Sequence, residues 1–317
     1  MARSDAWRHQ YRSDRYARLQ SLEELNQRLR DIMVNLLTLS TRGIGIRMSE
    51  IDPEAISNES SVWMEKFTHI LEEFAIRCGP YPNGIDRHSL ANGALPNLAS
   101  DLAKLASAKL DSWRTSAGDI FIKYGKRKYM ESVYESGALR IQPATYFAEA
   151  SHNRAINDDE LSVPLSFVAT RDDLLTVVSN PDDVPRDLPH ARVDVTVQLP
   201  SDYWLYCVSS ALAPRLFIDY EAEACVIIRD RDRFTRMLQD ASLQKLSGTD
   251  MRAGLIEYVD PLLPKSLVKA VAFTKHLRYS YQHEFRFCWL PPHNIGRAKH
   301  CDVKIGSIKE FSDLIVL

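Results

Sequence analysis

Between Tyr279 and Trp289 the residues alternate with a period of two. Tyr279, Tyr281, His283, Phe285, Phe287 and Trp289 share one parity, and Gln282, Glu284, Arg286 and Cys288 share the other. Aromatic-rich alternation of this kind predicts a β-strand with one face on a core. A strand this apolar cannot stand alone, so the chain must contain a sheet and something that covers it. The opposite face would carry an amide, a carboxylate and a guanidinium at steps of roughly 7 Å. Such a stripe is either a solvated edge or the wall of a site.

The neighbouring sequence decides what kind of sheet this is. From Ile120 onward, strand-like runs cover 120–124, 139–141, 161–170, 191–199, 203–208, 224–228 and 255–259, with a last edge strand at 303–305. Helical stretches are fewer: 127–135, closed by Ser136-Gly137, and 231–240. Strands outnumber helices and the connections are short. This predicts an α+β fold with a mixed, mainly antiparallel sheet over residues 117–317, and not a doubly wound one. Residues 1–116 have a different texture. Leu22, Leu25, Leu29, Ile32, Met33, Leu36 and Leu37 recur at helical spacing, and Ser21 with Glu24 forms a capping-box pattern. Further helices are expected at 60–77 and 95–114, separated by the breaker cluster at 79–84, with a boundary at 115–119. The first part is read as a helical regulatory or oligomerisation region, able to contact a partner protein or a second copy.

The 317 residues carry a formal net charge of -2, so no global bias toward nucleic acid exists. Arg3, Arg8, Arg12, Arg15 and Arg18, with Trp7, Tyr11 and Tyr16, make a basic arm. Asp5, Asp14, Glu23 and Glu24 dilute it, which favours a solvated or partner-binding helix over a nucleic-acid contact. Five scattered cysteines without a CxxC pair fit a reducing cytoplasm. No secretory leader and no run of about 18 apolar residues is visible, so a membrane location is not expected.

Familiar nucleotide-binding, hydrolase and metalloprotease motifs are missing. Asp158-Asp159-Glu160 offers hard oxygen ligands for a divalent cation, but adjacent loop residues rarely all face one ion, and a solvated turn is the plainer reading. A nuclease or hydrolase using these residues with Glu284 and a metal is the weakest reading. Asp182-Asp183 belongs to a Pro/Asp-rich turn at 180–186. Cys207, in an apolar strand, reads as packing and not as a nucleophile. His276, His283, His293 and His300 match no zinc spacing, and no metal is expected. Lys123 lies in an apolar strand and Arg140 on the next. If Glu284 joined them in one cleft, a phosphate-bearing ligand would sit beside a carboxylate.

Residues 120–292 resemble a broad family of bacterial proteins without an assigned activity. The resemblance rests on Lys123-Tyr124, Gly137 to Pro143, Asn157 to Glu160, Cys207-Val208-Ser209, and Tyr281 to Arg286. The same order is similar, more distantly, to the ADP-ribosyltransferase fold. That likeness departs from the usual pattern in having Lys at the first-strand position and only Val208-Ser209-Ser210 in the middle strand. It implies an NAD-dependent ADP-ribosyltransferase-like enzyme, such as a bacterial toxin or phage-defence effector, with NAD as co-substrate. Lys123 with Tyr124, Arg140, Ser209 and Ser210 would hold NAD. Glu284 would stabilise the oxocarbenium-like transition state and Gln282 would position a protein or nucleic-acid acceptor. The alternative is a non-catalytic ligand-sensing or protein-interaction module.

Overall fold

A computed structural model describes residues 3–40, 43–46, 59–80, 97–111, 113, 120–170, 190–264 and 268–317. The boundary expected at 115–119 and the turn at 180–186 lie outside these residues. The protein is α+β, with largely antiparallel sheets. The chain opens with α1 (Arg3–Asp14), α2 (Leu22–Leu36), a hairpin of β1 (Leu37–Ser40) and β2 (Gly43–Ile46), then α3 (Glu59–Cys78) and α4 (Asp101–Asp111). Both halves of the Ser21/Glu24 capping box are formed. The β1–β2 hairpin stands where the sequence, after its first amphipathic helix, reads as a loop with Gly43-Ile44-Gly45.

The second part begins with β3 (Phe121–Gly125), α5 (Arg127–Ser136) and β4 (Ala138–Pro143). Then follow a long two-stranded arm of β5 (Ser162–Thr170) and β6 (His190–Gln198), β7 (Trp204–Ser209), a short α6 (Arg215–Asp219), β8 (Ala224–Ile228) and α7 (Arg231–Leu243). β9 (Asp250–Leu255), β10 (Glu257–Val259), β11 (Thr274–His276), β12 (Glu284–Leu290), β13 (Cys301–Lys304) and β14 (Ser312–Val316) complete the chain. The main sheet runs β13-β4-β7-β3-β8-β14, and β12 joins it between β7 and β9. Gly137 ends α5 in the left-handed region, and a side chain there would run into the Gly306 carbonyl, so only glycine fits.

Two cores flank the sheet. On one face, Phe121, Tyr206, Val208, Phe287 and Trp289 pack under Met130 and Val133 of α5 and Phe234 and Leu238 of α7. On the other, Ile122, Tyr124, Cys225 and Ile227 pack against Leu216 and Phe217 of α6, and also against Val34, Ala106 and Leu110 from the first part. The N-terminal helices therefore share a core with the sheet. Buried polar bonds tie them together as well. Arg28 clamps Asp260 through two hydrogen bonds of 2.8 and 2.7 Å, and Lys66 reaches the same carboxylate at 2.5 Å. Burial alone would raise the Asp260 pKa, but the two cations outweigh it and hold the carboxyl well below the usual range.

The basic arm is tied to α3 on one side. Arg12 meets Glu72 at 2.6 Å, Arg15 meets Glu73 at 3.0 Å, and the Tyr11 hydroxyl donates to Glu73 at 2.6 Å. Arg8 and Arg12 stay largely exposed beside these contacts.

One expectation is corrected. Only Glu284–Leu290 is strand, and residues Leu277–Gln282 form a 3-10 turn that ends at His283 with a left-handed backbone (φ 46°). The cause lies far away in the chain. Asn35 of α2 is buried and accepts from the Tyr281 amide and the Ser280 hydroxyl at 2.9 Å, while its own amide donates to the Arg278 carbonyl at 3.0 Å. This amide captures the backbone that the alternation alone would extend. Tyr281 consequently packs with the N-terminal helices, away from Phe285.

Removing the acceptor at the junction should be costly. Asp260→Ala leaves a buried guanidinium unpaired and should destabilise the fold by about 3–5 kcal/mol. Chemical denaturation of the variant beside the wild type measures this directly. A change within 0.5 kcal/mol would show that the Arg28 clamp is not a structural joint.

Candidate functional site

β7 is the strand on which two candidate regions stand back to back. Along one edge it pairs with β12 over its full length, Trp204 to Ser209 against Trp289 to Glu284. Along the other edge its partners divide. β4 pairs at Trp204 and Leu205, and β3 pairs only at Ser209. β3 and β4 thus splay apart, and Tyr206, Cys207 and Val208 face the split without a strand partner on that side. The Lys123 ammonium fills part of this gap, donating to the Cys207 carbonyl at 2.7 Å. It also lies 4.4 Å from the centroid of the Tyr206 ring.

Paired residues on antiparallel strands project to the same face. Ile122, Ser209 and Glu284 are paired in series, so they share a face. Lys123, next to Ile122, projects to the opposite one, with Phe121 and Tyr206. The sequence-predicted residues therefore divide. Lys123, Arg140 and the Tyr124 segment line a cavity of about 960 Å³ at the split, together with Tyr129, Gln142, Tyr146, Tyr206 and Lys245. Glu284, Gln282, Ser209 and Ser210 do not line it.

The second group is engaged in holding the chain together. Ser209 donates to the Gln282 carbonyl at 2.8 Å, Ser210 donates to the His283 carbonyl at 2.8 Å, and Gln282, 1% exposed, donates to the Ala155 carbonyl at 2.8 Å. The Tyr124 hydroxyl points away from the cavity and exchanges hydrogen bonds with the Ala213 backbone. Arg140 sits at the rim in a two-pronged contact with Asp302.

Glu284 is part of a buried ionic constellation. Its carboxylate receives Lys275 at 3.0 Å and Arg286 at 2.8 Å. Glu160 forms ion pairs with the same two cations, at 3.3 and 2.7 Å, and Asp158 lies 3.9 Å from Lys275 and 3.7 Å from Arg278. Asp158 and Glu160 of one loop do converge with Glu284 of β12. A lysine ammonium stands at their centre, and among the described residues no group of histidines, cysteines and carboxylates is placed to hold a metal ion. Burial would raise Glu284, but Arg286 and Lys275 overcome it and keep the carboxylate ionised far below its ordinary range. Burial and then the Glu160 charge push Asp158 the other way, up to about 6, against the pull of Lys275 and Arg278. Burial also pushes the Cys207 thiol well up, which suits inert packing and not a nucleophile.

Sequence reasoning missed Lys275, Tyr206 and Lys245. Lys275 follows Thr274 in a three-residue strand too short for a periodic signal, although a lysine there, as at Lys123, was the one available cue. Among the described residues no helix is long and apolar enough to cross a membrane. No family model, curated protein or solved structure matches the chain.

Two outcomes follow from the constellation. Glu284→Ala should cost about 3–5 kcal/mol in unfolding experiments, because Lys275 and Arg286 lose a buried counter-ion. A stable variant would mean that the carboxylate is not needed for folding. Asp158 binds its proton more tightly folded than unfolded, so it opposes stability as pH rises from about 4 to above 6. Asp158→Asn should therefore gain about 1–3 kcal/mol over the wild type across that window. Parallel pH-stability curves would contradict this assignment.

Proposed function

We propose that this protein is a ligand-binding module that captures a phosphate-bearing organic anion in the cavity at the sheet split. One observation carries the reading. Lys123, partly exposed on the cavity wall, has no carboxylate partner among the described residues and donates to the Cys207 carbonyl, below a rim that carries Arg140, Lys245 and Lys304. Donors and cations that converge on one cavity favour an anionic ligand.

The rest of the lining suits an anion with an organic body. Arg140, Lys245 and Lys304 are exposed at the rim, against the single carboxylate of Asp302. The rings of Tyr129 and Tyr146 offer flat apolar surface, and Met130, Val133 and Leu139 line the wall. A volume of about 960 Å³ is at the upper end of what small-molecule sites use. The likeness to the ADP-ribosyltransferase fold enters here as support for a dinucleotide-sized ligand such as NAD. The chemistry of ADP-ribosyl transfer draws less support. It asks Lys123 and Glu284 to act on one ligand, and their side chains project to opposite faces, with Glu284 already saturated by Lys275 and Arg286.

Calorimetric titration with NAD and with pyrophosphate tests the reading. The wild type should bind NAD, and Lys123→Met should weaken it roughly 10–100-fold. Wild-type affinity in Lys123→Met, or no heat with either compound at millimolar concentration, would end the proposal. Nicotinamide release from NAD that is lost in a folded Glu284→Gln variant would instead favour the transferase reading.

A further inference from the structure

Lys123, on β3 of the main sheet, and Lys275, on β11 of the small β10–β11 pair, differ in company. Lys275 is held by Glu284 and Glu160 and lies near Asp158. Lys123 has no carboxylate within salt-bridge distance among the described residues. Its nitrogen touches a carbonyl oxygen and the face of a phenol ring, and it lines the cavity. Charged groups thrive where counter-charges or water surround them. An amine with uncharged neighbours in a partly closed cavity gives up its proton more readily. Burial does push the Lys123 pKa down, against smaller opposing effects from Cys207 and Glu284.

We infer that Lys123 is a carbonyl-capturing lysine, whose free amine forms an imine with the aldehyde or ketone group of an anion held at the cationic rim of the cavity. The inference rests on the anion-binding reading above and names the chemical class of the ligand.

The chemistry balances with no added oxidant or reductant. The nitrogen lone pair attacks the carbonyl carbon, and the carbonyl π pair moves to oxygen, which takes up a proton. The carbinolamine then loses water as the nitrogen gives up its remaining proton, leaving a carbon–nitrogen double bond. The Cys207 carbonyl orients the amine before attack. Arg140, Lys245 and Lys304 would hold the ligand's anionic end.

The test uses the full chain and three probes. Pyridoxal 5′-phosphate and the smaller glycolaldehyde phosphate are anionic aldehydes, and pyridoxine 5′-phosphate has an alcohol in place of the aldehyde. After incubation and reduction with sodium borohydride, peptide mass spectrometry locates the adducts. At least one aldehyde should label Lys123 close to one-to-one, at about ten times the level of exposed lysines such as Lys104 and Lys309. Pyridoxine 5′-phosphate should protect Lys123. Lys123→Arg should retain binding of pyridoxine 5′-phosphate in calorimetry and lose the adduct. Labelling spread over surface lysines, with none favoured at Lys123, would overturn the inference. If pyridoxine 5′-phosphate binds while neither aldehyde labels Lys123, imine chemistry fails and the anion site stands. If none of the three binds or labels, both fail.

Discussion

The second half of the chain depends on one lysine placed among carboxylates. Lys275, Arg286, Glu284 and Glu160 occupy the interior at exposures of 5% or less. Each charge has opposite neighbours at 2.7–3.3 Å. Dehydrating these groups is expensive, and apolar side chains of similar volume would serve stability as well or better. What the ion cluster adds is direction. It draws the 158–160 loop, β11 and β12 to a single point, which apolar contacts do without regard to angle. The loop in turn reaches the 3-10 turn, because the Tyr279 hydroxyl donates to the Asn157 carbonyl at 2.5 Å.

The cavity lies on the reverse of the same strand, so the two regions share β7 as a common wall. Cys207 shows the connection most plainly. Its carbonyl receives Lys123 on the cavity side, and its side chain is paired in register with Arg286 on the other. A ligand that draws Lys123 away from that carbonyl would leave a backbone acceptor to be satisfied at the edge of the ionic cluster. The strand is thus the shortest physical path between the two faces.

Much of the architecture was legible in the sequence. The runs at 120–124, 161–170, 191–199, 203–208 and 224–228 alternate or are apolar enough to declare themselves, and β8 spans the expected residues. The helices α2, α5 and α7 announce themselves through caps and periodicity. Three features were hidden for physical reasons. Leu277–Gln282 carries the alternation of a strand, yet Asn35, more than 240 residues earlier in the chain, bends it into a turn. The division of Lys123 from Glu284 depends on register, which only pairing with β7 sets. Tyr206 reads as one more core aromatic, since nothing in a sequence shows that its ring will line a cavity beside Lys123. Individual site residues were recognisable by type, but which of them share a space was not.

The joint between the N-terminal helices and the sheet bears on how the protein is made. Arg28 waits for Asp260, and Asn35 waits for Ser280 and Tyr281. On the ribosome the helices emerge more than 200 residues ahead of the residues that complete them. Their apolar faces, Leu25, Leu29 and Ile32 among them, can pack early on α3 but cannot close over Leu262 and Leu277 until those are released. The N-terminal helices are therefore a half-built surface until Asp260 and the 277–282 turn emerge, and that later segment seals them.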